Sequence, residues 1–240
     1  LESGLDNSPM YDDIPFDKKK HVMELMDVGL TGLYILDCRS LLRLATLLGK
    51  DDDIHELERR MKLTQEGLEK LWDEDFGCYC NRRTDTGEFS HRLSPTNFYA
   101  LFNPSISTER ARRMADEHYY NPEEFYGEWM MPTIARSDPA YGDQDYWRGR
   151  VWPSTNFLAY AAIRSNGHLA DVQKDLAEHS VALMMKEWNE HRHIHENYNA
   201  DTGEGCDVGN SDKFYHWGAL LGMIGMLESG EIPGFLEPLS

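Results

Sequence analysis

Apolar residues recur along this chain at the three-to-four-residue spacing of helices in seven places. The pattern predicts a first helix over 29–48, with Leu33, Leu36, Leu44 and Leu47 on its inward face and Gly49 as its stop. Asp51 to Asp53 offer N-caps for a second helix that turns Ile54, Leu57, Met61, Leu68 and Leu71 inward. Shorter helices follow over 96–102 and 108–118, joined by Asn103-Pro104-Ser105. Pro153 opens another that runs to 164, Asn166-Gly167 turns the chain into a long helix over 169–190, and the last spans 212–227. In that last helix Phe214, Trp217, Leu221 and Ile224 face one way, and Gly218, Gly222 and Gly225 permit close approach to a neighbour. Strand-like alternation is confined to 78–82 and 191–195.

The connections say more than the helices. Short turns at 49–53, 103–107 and 165–167 pair the helices, while long segments at 73–95, 119–152 and 191–211, and one before the first helix, separate the pairs. In a ring of antiparallel helices every second connection emerges at the same end, so the long segments open on one face. Long loops in a compact domain are usually functional. The reading is a single all-α domain over 1–240 with α/α-toroid organisation. No fixed-period repeat supports a solenoid. Seven helices leave the first unpaired, so an incomplete barrel with further sequence upstream of Leu1 is expected.

Composition narrows the partners. Forty per cent apolar and 11% aromatic residues fit a globular protein. A formal charge of −18 argues against nucleic acid or an anionic membrane as partner. No apolar run approaches the roughly 18 residues of a membrane-spanning helix. Cys38, Cys78, Cys80 and Cys206 match neither a disulfide framework nor paired zinc ligands and read as ordinary thiols, which leans towards a cytoplasmic setting.

Three long segments concentrate carboxylates and aromatic rings. They are residues 2–13 (ESGLDNSPMYDD), the run Asp138-Pro139-Ala140-Tyr141 followed by YWRGRVWP over 146–153, and residues 195–205 (HENYNADTGEG). Indole and phenol rings stack on the apolar faces of sugars, and carboxylate, Arg and Asn side chains hydrogen-bond sugar hydroxyls, so the mixture suits a carbohydrate. Glycosidic cleavage needs two carboxyl groups flanking the scissile bond. Asp6 alone reads as a turn residue and Glu196 as a solvated loop carboxylate, with Glu2 and Glu204 as competitors. His191, His193 and His195 alternate and could face one way, but alternating polar residues beside a loop are commonly solvated, so no metal is assigned. Asp51 to Asp53 lack the glycine and terminal glutamate of an EF-hand.

Taken in order, SGLDNSPMYD, YWRGRVWP, ENYNADTGEG and the closing FYHWGALLGM resemble glycoside hydrolase family 63 and its bacterial relatives, which include processing α-glucosidases and mannosylglycerate or glucosylglycerate hydrolases. The resemblance covers nearly the whole chain. It implies an (α/α)6 barrel of which these are helices six to twelve, and hydrolysis with inversion of configuration. It places the general acid on Asp6 and the general base on Glu196, with Tyr11, Asp12, Trp147, Arg148, Gly149 and Trp217 as substrate-binding candidates. Tyr198 and Asn199 shape the loop of the base. An exo-acting α-glycosidase of glucosides or mannosides such as glycosylglycerates or oligosaccharides is therefore expected. The alternative is a non-catalytic carbohydrate-binding or assembly half-barrel that associates with itself or with a partner segment. No cofactor is required; a bound calcium ion is compatible with the reading.

Overall fold

The computed structural model describes residues 4–232, so Glu2 lies outside the described residues. Six α-helices are formed: α1 (Val28–Leu47), α2 (Asp51–Leu68), α3 (Thr108–Met114), α4 (Pro153–Asn166), α5 (Ala170–His191) and α6 (Leu220–Glu228). The helix expected over 96–102 is a 3-10 helix, Pro95–Phe102, with all eight residues buried. Ser94 caps it through a capping box with Asn97, and the Asn97 amide donates onward to the Tyr79 carbonyl at 2.7 Å. Short antiparallel strand pairs occupy the loops, including the predicted segment near 78–82 and others, such as 16–17 with 22–23, that the pattern did not reveal.

The helices stand in two rows. One row runs α1, the 3-10 helix, α4, α6, each packed on the next, and α2 and α5 lie behind it against α1 and α6. Close packing between α1 and the 3-10 helix depends on Gly32, where a Cβ would overlap the Tyr99 carbonyl. Arg39, nearly buried, donates to the Phe102 carbonyl at 2.7 Å and the Ser165 hydroxyl at 3.0 Å, tying α1 to the C-terminal ends of the 3-10 helix and α4. The helix-rich double layer is consistent with an α/α-toroid architecture.

Three expectations need correction. The buried face of α1 carries Val28, Gly29, Gly32, Ile35, Cys38, Arg39 and Ala45, whereas Leu44 and Leu47 are exposed. The last helix begins only at Leu220, after a 3-10 turn over His216–Ala219. Residues 212–215 instead pair with the segment around Glu196: the Phe214 N–H donates to the Ile194 carbonyl at 2.7 Å, and Phe214 itself is exposed. The alternation over 191–195 is no strand, because His191 ends α5, Arg192 turns left-handed at φ +60° and only His195 makes an isolated bridge, to Lys213. His193 and His195 are buried rather than solvated.

The long segments do converge. Arg92, from the loop after α2, forms a two-pronged pair with Asp138 of the loop after α3 at 2.8 Å and reaches Asp12. Val151 and Tyr198 bridge the loop before α4 to the one after α5, with N–H···O distances of 2.8 and 2.9 Å. All four thiols are free. Among the described residues no helix is long and apolar enough to cross a membrane.

Candidate active site

The segment 145–151 is the hub to which both candidate carboxylates are attached. On one side, the Trp147 N–H donates to Asn7 Oδ1 at 2.9 Å and the Asn7 amide donates to the Asp145 carbonyl at 3.3 Å. Arg148 donates to the Asn7 carbonyl at 3.3 Å and pairs with Asp12 at 2.9 Å and Asp143 at 2.7 Å. These bonds fix the turn that carries Asp6, whose side chain is exposed. Arg148 and Asp12 thus engage each other rather than standing free for a ligand.

On the other side, Arg150 is fully buried. It donates to the Asn197 side chain, to the Glu204 carbonyl at 3.3 Å, and through two nitrogens to the Asp207 carboxylate at 3.0 and 2.8 Å. Tyr198, also buried, accepts the His195 N–H on its hydroxyl at 2.8 Å. Asn199 caps the following turn by accepting from the Asp201 and Thr202 N–H groups. Glu196, 6% exposed, is held by its own N–H, which donates to the Asp212 carbonyl at 2.9 Å. Burial pushes its carboxyl above the usual glutamate range, with the nearby Asp212 charge adding to the rise. Glu204, its sequence competitor, is instead paired with Lys186 at 2.9 Å, which draws its pKa down.

Tyr146 relates the two halves. Its phenol is raised first by burial, then by the charge of Glu196 and next by that of Asp6, so it stands within electrostatic reach of both carboxylates. Around it is an aromatic platform. Trp147 stacks on Trp152 at 3.6 Å between ring centroids, Trp217 tilts against Trp152 at 5.5 Å, and Tyr146 meets Trp152 edge-on at 4.9 Å. Trp147 is 3% exposed, and its indole N–H is buried without a hydrogen-bond partner among the described residues.

Two adjoining clefts open beside this platform. The smaller, about 160 Å³, is lined by Trp147, Trp217, Tyr11, Tyr99 and Asp27 among others. The larger, about 850 Å³, shares Leu5, Tyr11, Asp27 and Leu30 with it and contains Asp6. Tyr11 donates to Asp27 at 2.9 Å, and Asp27 also caps α1 by accepting from the Leu30 N–H at 2.8 Å. Gly149 has φ +95°, and a Cβ there would overlap the Tyr141 carbonyl oxygen. Its place in the motif is therefore conformational. Sequence reasoning passed over Asp27 and Asp207, and it gave Tyr146 and Arg150, inside the YWRGRVWP run, no role of their own. Asp27 carried a local signal as an acidic residue just before a helix start.

An exposed acid turn and a buried carboxylate, joined by one loop beside stacked indoles and a cleft, can position a polyhydroxylated ring between two carboxyl groups. Comparison with known proteins bears on that chemistry. The family described as mannosylglycerate hydrolase MGH1-like glycoside hydrolase domain matches residues 1–217. The chain is 28% identical over 203 residues to a mannosylglycerate hydrolase of Thermus thermophilus, covering 83% of this chain and 45% of that protein. It is 25% identical over 246 residues to the mannosyl-oligosaccharide glucosidase of Saccharomyces cerevisiae, covering 92% of this chain and 28% of that one. Among solved structures, a glycoside hydrolase family 63 mannosylglycerate hydrolase from Thermus thermophilus in complex with glucose superposes with a TM-score of 0.76 at 26% identity, over 92% of this chain and 59% of that one. The chain thus spans less than half the length of the two enzymes and 59% of the solved structure.

Proposed function

Because the chain belongs to the mannosylglycerate hydrolase MGH1-like family of glycoside hydrolases, we propose that it carries the catalytic pair of an inverting, exo-acting α-glycosidase. The substrates are small α-mannosides or α-glucosides, glycosylglycerates among them. Asp6 protonates the leaving glycosidic oxygen, while Glu196 takes a proton from a water that attacks the anomeric carbon from the opposite face. The carbon–oxygen bond to the aglycone breaks as the new one forms, and the anomeric configuration inverts.

The observation that carries this reading is the loop 145–147, which bonds Asn7 beside Asp6 on one side and, through Asn210, the run of chain that pairs with Glu196 on the other. Burial of Glu196 supports its part, since a carboxylate disfavoured in its charged form is a stronger base once ionised. Half-buried Trp217, backed by the buried Trp152 and Trp147 rings, offers stacking surface for the sugar. Apolar side chains exposed at both ends of the helix layer, Leu41, Leu44 and Leu47 on α1 and Met185, Trp188 and Met226 on α5 and α6, support a further reading: the layer is a sector of a closed (α/α)6 ring.

The test is hydrolysis of α-mannosides, α-glucosides and glycosylglycerates by the purified protein beside Asp6→Asn and Glu196→Gln. Each substitution is expected to lower kcat by about 10²–10⁴-fold, and proton NMR of the first-formed sugar should show the β-anomer. A retained α-anomer, or full activity in either variant, overturns the assignment.

A further inference from the structure

Next to Glu196 in the chain, four side chains with metal-binding atoms converge from three parts of the sequence. Glu187 comes from the last turn but one of α5, His193 and His195 from the segment leading to Glu196, and Cys206 from the loop that follows it. One ligand atom from each lies within 4.8 Å of all the others. Cys206 Sγ is 3.2 Å from His195 Nε2 and 3.8 Å from Glu187 Oε1, and His195 Nε2 is 3.5 Å from Glu187 Oε1.

The protonation of His195 follows from its surroundings. Its Nδ1 lies 3.1 Å from the Ser211 carbonyl oxygen, which only accepts, so Nδ1 carries the proton and donates there. Nε2 then presents a lone pair to Cys206 and Glu187. A ligating histidine held by a carbonyl on its other nitrogen is the usual arrangement at metal sites. Hydrogen bonding within the cluster leaves two atoms unaccounted for. Glu187 is 0% exposed, yet its Oε2 has no hydrogen-bond partner, and the buried Nδ1 of His193 has none either. A carboxylate oxygen and an imidazole nitrogen buried close together without partners are costly unless a cation compensates them.

We propose that Glu187, His193, His195 and Cys206 bind one zinc ion, in a site that clamps the segment bearing Glu196 to α5. Tetrahedral zinc with bonds of about 2.0–2.3 Å places its ligand atoms roughly 3.3–3.6 Å apart, and the three measured separations, 3.2, 3.5 and 3.8 Å, bracket that range. A thiolate with two imidazoles selects zinc over magnesium or calcium, and four protein ligands make a closed, structural site. Gly205 serves the same end, because a Cβ there would run into the His195 ring and hold Cys206 off. The neighbouring trio Glu187, His191 and Glu204 is a poorer set, since Lys186 already neutralises Glu204.

The consequence for Glu196 rests on the hydrolase reading; zinc binding does not, so the experiment reads the metal first. The purified protein is stripped with chelator and titrated with Zn²⁺ against a chromophoric competitor. One equivalent is expected to bind, with affinity falling about 100-fold or more in Cys206→Ser and His195→Gln, while circular dichroism shows both variants folded. Cobalt in place of zinc should give a thiolate charge-transfer band that Cys206→Ser abolishes. A variant-free readout covers the case of misfolding: Cys206 is the exposed thiol and the other three are buried, so Zn²⁺ should protect it from alkylation. Stoichiometry well below one, unchanged affinity in both variants, or alkylation indifferent to Zn²⁺ each overturns the site. If zinc binds as stated but its removal leaves hydrolysis untouched, the site stands and the clamp on Glu196 falls.

Discussion

Arg150→Met should loosen the segment that carries Glu196, and the loss can be sized from the contacts. The guanidinium is 0% exposed and holds Asp207 at 2.8 and 3.0 Å, while also bonding the Asn197 side chain next to Glu196. Methionine keeps much of the volume and removes every donor. Breaking a buried pair from one side costs about 3–5 kcal/mol, chiefly because the surviving charge is left uncompensated. The Asp207 side chain is 28% exposed and keeps the Asn199 amide at 2.9 Å, so the lower end, about 3 kcal/mol, is expected. In a urea titration with a slope of about 2–3 kcal/mol/M that moves the midpoint down by about 1–1.5 M.

The decisive assay is the double-mutant cycle with Asp207→Leu. Either single change strands a charge and the double change strands none, so the two should couple by about 2–3 kcal/mol instead of adding. Acid supplies a second check. Burial raises the Asp207 pKa, but the bonds from Arg150 and Asn199 outweigh it and the net shift is downward. A depressed folded-state pKa gives stability above the unfolded value that is lost as pH falls through the folded one. The gap between wild type and Arg150→Met should therefore narrow below about pH 4. Additive single changes, or a gap that persists in acid, would refute the claim that this pair fastens the loop.

Glu196 has the opposite sign. Burial raises its pKa, so the acid limb of kcat/KM should lie above the ordinary glutamate value of 4.5, and a limb at or below that value refutes its role as the ionising base. A raised carboxyl favours the fold below its unfolded pKa and loses that contribution as pH rises through the folded one. Glu196→Gln should accordingly raise the urea midpoint at pH 7 while leaving it nearly unchanged at pH 4. Gly149→Ala combines φ +95° with overlap on the Tyr141 carbonyl and should destabilise by about 2–4 kcal/mol in the same titration; a change below about 0.5 kcal/mol would show that the turn relaxes freely. Arg148→Ala removes half-exposed ion pairs to Asp12 and Asp143, so stability should change by less than about 1 kcal/mol. Its effect should appear in kcat/KM, through the turn of Asp6, and unchanged kinetics would free Arg148 of any positioning role.

Helices whose ends are chemically marked were legible in the chain. Gly49, the Asp51–Asp53 run, Pro153 and Gly167 placed the end of α1, the start of α2 and the boundaries of α4 and α5 to within a residue or two, because stops, acids and prolines act locally, although the three aspartates form the first turn of α2 and Lys50, not an aspartate, stands at its N-cap. Facing was less legible. Leucine periodicity on α1 pointed at Leu44 and Leu47, yet Gly29 and Gly32 decide which face can approach the 3-10 helix. The start of α6 was misjudged because residues 212–215 obey a tertiary demand, pairing with 194–196, that no helical period expresses. His193 and His195 read as solvated for a related reason: alternation reports polarity along a segment and is blind to what α5 lays over it.

The candidate site was legible as three motifs and not as a connected object. Asp6 and Glu196 are ordinary loop carboxylates until Asp145 is seen between their segments. Its backbone carbonyl accepts from Asn7, and its carboxylate accepts from Asn210 at 2.8 Å on the strand of chain that leads to Asp212 and hence to Glu196. Trp147 and Arg148 then hold the acid side, and Arg150 and Val151 the base side. Residues that look in sequence like one sugar-binding motif are thereby divided between two mechanical duties. Perturbations at 148 and 150 should separate accordingly, the first felt at Asp6 and the second at Glu196. Gly149, between them, must be glycine because the chain reverses there against Tyr141. If Asp6 and Glu196 act as the proposed pair, the spacing on which inversion depends rests on a few residues of this one loop.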